Sequence, residues 1–257
     1  MLKWDADLYL KFSSERTQPS VDLTARIAIP DPGRIIDLGC GPGNSTAVLR
    51  QRWPKARITG LDSSPHMLAA ASGSYPHHEW LIGDIAAWSA ESAFDLVFSN
   101  AALQWVPMHD ILFPHLFAQV ASGGALAVQM PAHSKSPLHR KILETADDPS
   151  WRHLMAQARN ALTKEPPSFY YNLLRPLAEH LVIWETEYYH VVDSPQAIIE
   201  WFRGTGLRPF LAALENEGQK KRFEELLLER YTRAYPPQND GRILFQFRRL
   251  FIIAYRA

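Results

Sequence analysis

The chain has 257 residues, enough for one large domain or a domain with a sub-domain, and buries roughly three quarters of its unfolded surface without covalent staples. Lys and Arg total 27 and Asp and Glu total 27, so the net charge is zero, which argues against a nucleic-acid-wrapping or polybasic membrane protein. A hydrophobic fraction of 46% argues against global disorder, and the lone Cys40 excludes an intramolecular disulfide framework and a multi-cysteine zinc site.

The opening MLKWDADLYLKF lacks the apolar core of a signal peptide. No run approaches the roughly 18 apolar residues of a membrane span, so a soluble cytoplasmic protein is expected. Residues 34–130 alternate strand and helix patterns. Arg34 to Leu38 is a short apolar run ending at Gly39, as a buried parallel strand should look. A helix follows from Asn44 or Ser45 to Arg52 and stops at Trp53-Pro54. The second strand is Arg57 to Leu61, and Ser64-Pro65 opens the next helix with a cap and a first-turn proline. Glu79 to Ile82, Phe94 to Phe98 and Ala125 to Met130 are strands three to five. A helix near 110–120 is expected to end at Ser122-Gly123-Gly124. Right-handed crossovers make this α/β pattern a doubly wound, mostly parallel sheet.

Residues 133–180 carry helical patterns broken by prolines and read as a helical cap inserted after strand five. The aromatic and β-branched run Leu181 to Val192 and the stretch Ile243 to Tyr255 bring the chain back to the sheet, completing seven strands. Helices at 195–202 and 219–231 lie between them. The expected organisation is a segment 1–30, a core 31–132, a cap 133–180 and a returning part 181–257.

The sharpest feature is Asp37-Leu38-Gly39-Cys40-Gly41-Pro42-Gly43 between strand one and its helix. Glycines there permit a tight turn and let a ligand approach bare backbone. A dinucleotide fingerprint is disfavoured, because counting from Gly39 places Asn44 at the third glycine. A phosphate loop is excluded by the missing Gly-Lys-Ser/Thr. Asp37 at a strand tip suits a ligand carrying positive charge. Asp62 ends strand two, where an acid accepts from two ribose hydroxyls; its plainer reading is an acid at a helix N-terminus. Asp84 ends strand three, where it can accept from the exocyclic amine of adenine or simply form a turn. Asn100 ends strand four and can contact the same ligand. Together these specify a nucleoside with cationic groups, and S-adenosylmethionine fits.

On these residues the stretch 30–130 resembles class I S-adenosylmethionine-dependent methyltransferases, with their Rossmann-like fold. The resemblance implies that Asp37, Gly39, Gly41 and Gly43 hold the methionine part of the cofactor and Asp62 the ribose. It places Ser63 and Met67 near the adenosine, and Asp84-Ile85 at the adenine. Met67 at helical spacing reads equally as core. Ala101 to Trp105 follow strand four in place of the Asn- or Asp-Pro-Pro-aromatic motif that grips a flipped base, so no nucleic-acid partner is expected.

More of the chain is similar to the trans-aconitate methyltransferase family: residues 4–12, Glu15 to Pro19, Leu103 to Val106 and Trp201 to Phe210. The resemblance implies methyl transfer to a carboxylate of a small polycarboxylate, with segment 1–30 folded over the cofactor. A carboxylate is already ionised at pH 7 and needs no general base, so no catalytic residue is named and catalysis rests on proximity and orientation. Burying the polycarboxylate calls for Arg, Tyr and His partners. The candidates are Tyr9, Arg16, His133, Tyr171 and Arg203, with Tyr170 and Arg208 behind them and Trp105 as a wall of the methyl site or a core aromatic. No histidine spacing suggests a metal. Open alternatives are a carboxyl methyltransferase acting on a carrier-borne malonyl group, a non-catalytic nucleoside-binding module and an NAD-dependent oxidoreductase. Oligomeric state is left open.

Overall fold

The computed structural model describes residues 13–132, 136–163 and 165–257. Tyr9 and His133 lie outside them, as does segment 1–12.

Helix α1 (Ser13–Ala25) precedes strand β1 (Arg34–Leu38). Helix α2 (Asn44–Arg52) starts from Gly43, whose φ of 93° turns the loop sharply into the helix. Strand β2 (Arg57–Asp62) leads to α3 (Pro65–Ser74), where the Ser64 hydroxyl accepts the Met67 N–H and caps the helix. Strands β3 (Glu79–Ile82) and β4 (Phe94–Asn100) follow. Helix α4 (His109–Ala118) ends before β5 (Val120–Pro131). Here the expectation shifts: Ser122-Gly123-Gly124 lies inside the strand and not at a helix end. Phe94 pairs with Val120, the register then slips, and Gly123 takes a φ of 74° at the irregularity.

Beyond β5 come α5 (Pro137–Ala146), α6 (Ala156–Arg159) and α7 (Pro167–Leu174). Strand β6 (His180–Val192), helices α8 (Pro195–Arg203), α9 (Arg208–Ala213) and α10 (Glu217–Ala234), and strand β7 (Ile243–Tyr255) complete the chain. The seven strands run in the order β3-β2-β1-β4-β5-β7-β6. Strands β1 to β5 pair in parallel and β7 is antiparallel to β5. This is a doubly wound, Rossmann-like sheet with one antiparallel strand, β7, beside β5. The chain winds outward through β1, β2 and β3, then returns to β4 on the other side of β1. That reversal opens a crevice beyond the carboxyl ends of β1 and β4, where ligands of such sheets bind.

The chain divides into two compact units. One holds residues 13–131, 163–186 and 249–257, and so most of the sheet. Its core is built on Ile35, Ile36, Leu96, Val97, Phe98 and Leu126, all fully covered. Helix α7 packs on α4 through Tyr170 and Phe113, ring centroids 4.7 Å apart. Trp184 stacks on Phe251 and carries the Arg26 guanidinium on its ring. The other unit holds residues 136–162 and 187–248 and is mainly helical. Trp151 packs on Phe223 there, His190 sits against Trp201 and Phe245, and the Tyr231 hydroxyl donates to the Leu138 carbonyl.

Candidate active site

The β1–α2 loop is held from the neighbouring strand. Gly39 and Cys40 both donate backbone N–H groups to the Leu61 carbonyl, at 2.7 and 3.1 Å. Asp62 at the tip of β2 accepts the Gly41 N–H at 2.9 Å with one oxygen and the Ser64 N–H at 2.9 Å with the other. The loop glycines serve different ends. A Cβ on Gly39 would lie 2.2 Å from that of Ala102, so this glycine lets the β4 loop close on the β1 loop. A Cβ on Gly43 would strike Tyr75. A Cβ on Gly41 would meet no protein atom within 4 Å, because that position faces open space where a ligand can lie on backbone.

The open space is a cavity of about 190 Å³ lined by Gly39, Gly41, Pro42, Asp62, Ser63, Met67, Asp84, Ile85, Asn100, Ala101, Ala102, Trp105 and Val106. Three strand tips thus contribute: Asp62 from β2, Asp84 beyond β3 and Asn100 from β4. Eight of the ten expected cofactor residues line this cavity. Asp37 and Gly43 do not. Asp37 is fully buried, and one of its oxygens accepts both the Ser45 and the Thr46 hydroxyls at 2.7 Å, tying β1 to the first turn of α2. The expectation that it touches the ligand is corrected to a supporting role, because α2 covers it. Its carboxyl is pushed up to about 6 by burial, partly offset by the two hydroxyl bonds and reinforced by Asp62. Burial likewise raises Asp62. Two acids held uneasily ionised beside each other favour a cationic ligand. Cys40 is buried with its Sγ against Gly60 of β2, and burial with the charge of both acids pushes its thiol far above the ordinary range.

The opposite wall, residues 101–106, is anchored from behind. Ala101 takes a φ of 55°, and the Gln104 carboxamide donates to its carbonyl at 2.6 Å. Thr163 donates its N–H to the Gln104 carbonyl at 2.8 Å and its hydroxyl to that of Val106 at 2.9 Å. Buried His109 donates from Nε2 to the Leu103 carbonyl at 2.9 Å, leaving Nδ1 to accept the Tyr170 hydroxyl at 2.6 Å. Sequence reasoning passed over His109 and Thr163, since neither belongs to a motif; their spacing to the wall exists only in the fold.

The expected acid-binding residues scatter. Trp105 lines the cavity. Buried Arg16 lines a small adjoining chamber with Thr17, Gly39, Cys40, Pro42, Asn44, Ser45 and Asn100. Tyr170 is committed to His109, and Tyr171 is exposed on α7 and outside the lining. Arg203 belongs to the helical unit, where its guanidinium makes a two-pronged bond to Glu224 at 2.8 Å on each arm. That pair makes it a brace between α8 and α10. Arg208 lies in the same unit, half-buried, and burial lowers its pKa. Among the described residues no cluster of His, Cys, Asp or Glu could hold a metal ion, and no helix is long and apolar enough to cross a membrane.

The nucleoside fits the residues present: bare backbone at Gly41 and acids at the β2 and β3 tips. A methyltransferase-domain profile matches residues 35–124, the stretch that builds this cavity. The chain is 46% identical over 257 residues to a trans-aconitate 2-methyltransferase of Rhodopseudomonas palustris (strain BisB18), covering 100% of both chains. It is 45% identical over 256 residues to the enzyme of that name from Azoarcus sp. (strain BH72), again over 100% of both. The Bacillus subtilis YcgJ protein shares the fold, with a TM-score of 0.61 at 13% identity over 93% of this chain and 98% of that one. The chain belongs to the trans-aconitate 2-methyltransferase family of S-adenosylmethionine-dependent methyltransferases.

Proposed function

We propose that the protein transfers a methyl group from S-adenosylmethionine to a carboxylate of trans-aconitate, giving a monomethyl ester. The observation that carries this reading is the wall facing the acids. Asn100, Ala101, Ala102, Trp105 and Val106 offer no side chain able to take a proton. A hydroxyl or ammonium substrate must lose a proton in the reaction; a carboxylate is ionised beforehand. A wall of methyls, an indole and an amide therefore suits a carboxylate.

S-adenosylmethionine held in this cavity would supply an electrophilic methyl on a positively charged sulfur, which an already ionised carboxylate could accept with no proton to remove and with the S–C electron pair left on sulfur. The residues bind, orient and exclude water. Asp62, which fixes the Gly41 amide, would receive the ribose hydroxyls, and Asp84, Ile85 and Met67 would hold the adenine. Arg16, first read as a substrate contact, is better placed for the cofactor's own carboxylate, because its chamber is otherwise built from the glycine loop, α1, α2 and Asn100. Trp105 and the alanines form an apolar wall, against which a bound carboxylate would be less hydrated and so more reactive.

The test is transfer of labelled methyl to trans-aconitate, with a malonyl-carrier thioester as the comparison acid. Label in trans-aconitate that mild base releases as methanol is the expected result. Transfer only to the malonyl carrier, or to neither, sinks the reading.

A further inference from the structure

The sheet register sets a row of polar side chains across four strands. Residues directly paired on neighbouring strands share a face, as do residues two apart on one strand. Asp37 pairs with Phe98, two residues before Asn100, and Asn100 pairs with Gln129. Gln129 pairs with Phe251, and Arg249, two residues away, pairs with Pro131. Asp37, Asn100, Gln129 and Arg249 thus project from one face, the face on which Asp37 meets α2.

Gln129 is fully buried, yet neither the nitrogen nor the oxygen of its carboxamide has a hydrogen-bond partner. The Asn100 oxygen beside it is unpartnered too. Helix α1 packs against β5 and against α2. Its Arg16, Ser20 and Thr24 recur every four residues, so they form one stripe; all three are buried, and the Ser20 and Thr24 hydroxyls are unpartnered. Arg16 leads the stripe into the chamber that Asn100 also lines. Native interiors rarely leave buried polar atoms unpaired, and several together mark a place meant for polar company.

Resting on the reading that a polycarboxylate is methylated, we infer that Gln129 heads the acid-binding subsite. The carboxylates that do not react need donors, and the wall from Ala101 to Val106 supplies no charged one. The Gln129 amide donates to a carboxylate oxygen, and Arg249, buried on the same face, supplies compensating positive charge. Ser20 and Thr24 hydroxyls complete the donor set. Since Gln129 is covered, α1 must shift at its Arg16 end to admit the acid.

The test is calorimetric titration of trans-aconitate into the S-adenosylhomocysteine-loaded protein, alongside methyl-transfer kinetics, for the wild type, Gln129→Leu and Gln129→Glu. Gln129→Leu should raise the acid's Kd and KM at least tenfold. Its S-adenosylhomocysteine affinity should stay within twofold, and its melting temperature should not fall, because an apolar side chain removes two unpaired atoms. Gln129→Glu keeps the size but repels the acid, and should raise KM further, most at low salt. Unchanged acid affinity in both variants overturns the inference while leaving the wild-type reaction standing. Weakened cofactor binding in proportion to KM would also overturn it, by placing Gln129 at the cofactor. A wild type that binds the acid through Gln129 but never methylates it would refute the proposed reaction and not the subsite.

Discussion

Tyr170 donates its hydroxyl to His109 Nδ1 at 2.6 Å, and His109 passes Nε2–H on to the Leu103 carbonyl, so one buried imidazole joins α7 to the wall of the cavity. The arrangement needs neutral histidine, and burial holds the His109 pKa below its ordinary 6.5, against the opposing pull of the Leu103 hydrogen bond and of Glu165. A histidine with a depressed folded pKa binds fewer protons folded than unfolded, so its contribution is complete above 6.5 and is lost as pH falls below it. Chemical denaturation at pH 7.5 and below 6 should show stability falling with acid. His109→Gln should flatten that slope, and Tyr170→Phe should cost about 1 kcal/mol at pH 7.5. Parallel pH slopes in wild type and His109→Gln would refute the assignment.

Asp37 gives a second pH effect, of opposite sign. Its folded pKa is raised to about 6 from 3.8, so in the absence of ligand its stabilising contribution is largest below 3.8 and is lost as pH rises through about 6. A cationic ligand favours the ionised form. Binding of S-adenosylmethionine should therefore release a proton and tighten as pH rises through about 6, levelling off above. Calorimetry in buffers of different ionisation enthalpy reads this directly. Asp37→Asn should remove the proton release, and its persistence would point to another group.

The glycines of the loop should separate stability from binding. Gly39→Ala places a methyl 2.2 Å from the Ala102 Cβ at a φ of 73°, and should cost more than about 2 kcal/mol of stability. Gly41→Ala has no protein atom to strike and should cost only about 1 kcal/mol for its φ of 54°. Its methyl would instead stand in the cavity, so cofactor affinity should fall about tenfold or more, roughly 1.4 kcal/mol. Thermal melts with and without S-adenosylhomocysteine distinguish the two.

Arg203→Ala should leave KM for the acid and Kd for the cofactor unchanged. The Arg203–Glu224 pair is partly exposed, and its loss should cost less than about 1 kcal/mol. A raised KM would restore Arg203 to the substrate site.

That Asp62 and Asp84 come to one cavity was readable because the determinants are local. Parallel strands end at one edge, and an acid directly after each apolar run must lie there; Asp62 and Asp84 needed nothing more. Asp37 obeyed the same rule but lies under Ser45 and Thr46, whose hydroxyls turn inward only once α2 docks. Arg203 looked like a clamp at a helix end, and the partner that claims it stands 21 residues later on another helix. Gln129 carried no signal in an apolar strand. Its neighbour Asn100 is set by strand pairing, and pairing register is the part of a sheet that a single sequence leaves open.

Cys40 gives the molecule a built-in clock. It is the chain's single thiol, it lies in the loop that cradles the cofactor, and it is sealed under that loop with its thiolate disfavoured. A thiol reagent can reach it only when the loop lifts from β2. The labelling rate therefore counts loop openings, and saturating S-adenosylhomocysteine should slow the count in proportion to occupancy. Ligand residence at this site can thus be followed with no tag, no mutation and no turnover.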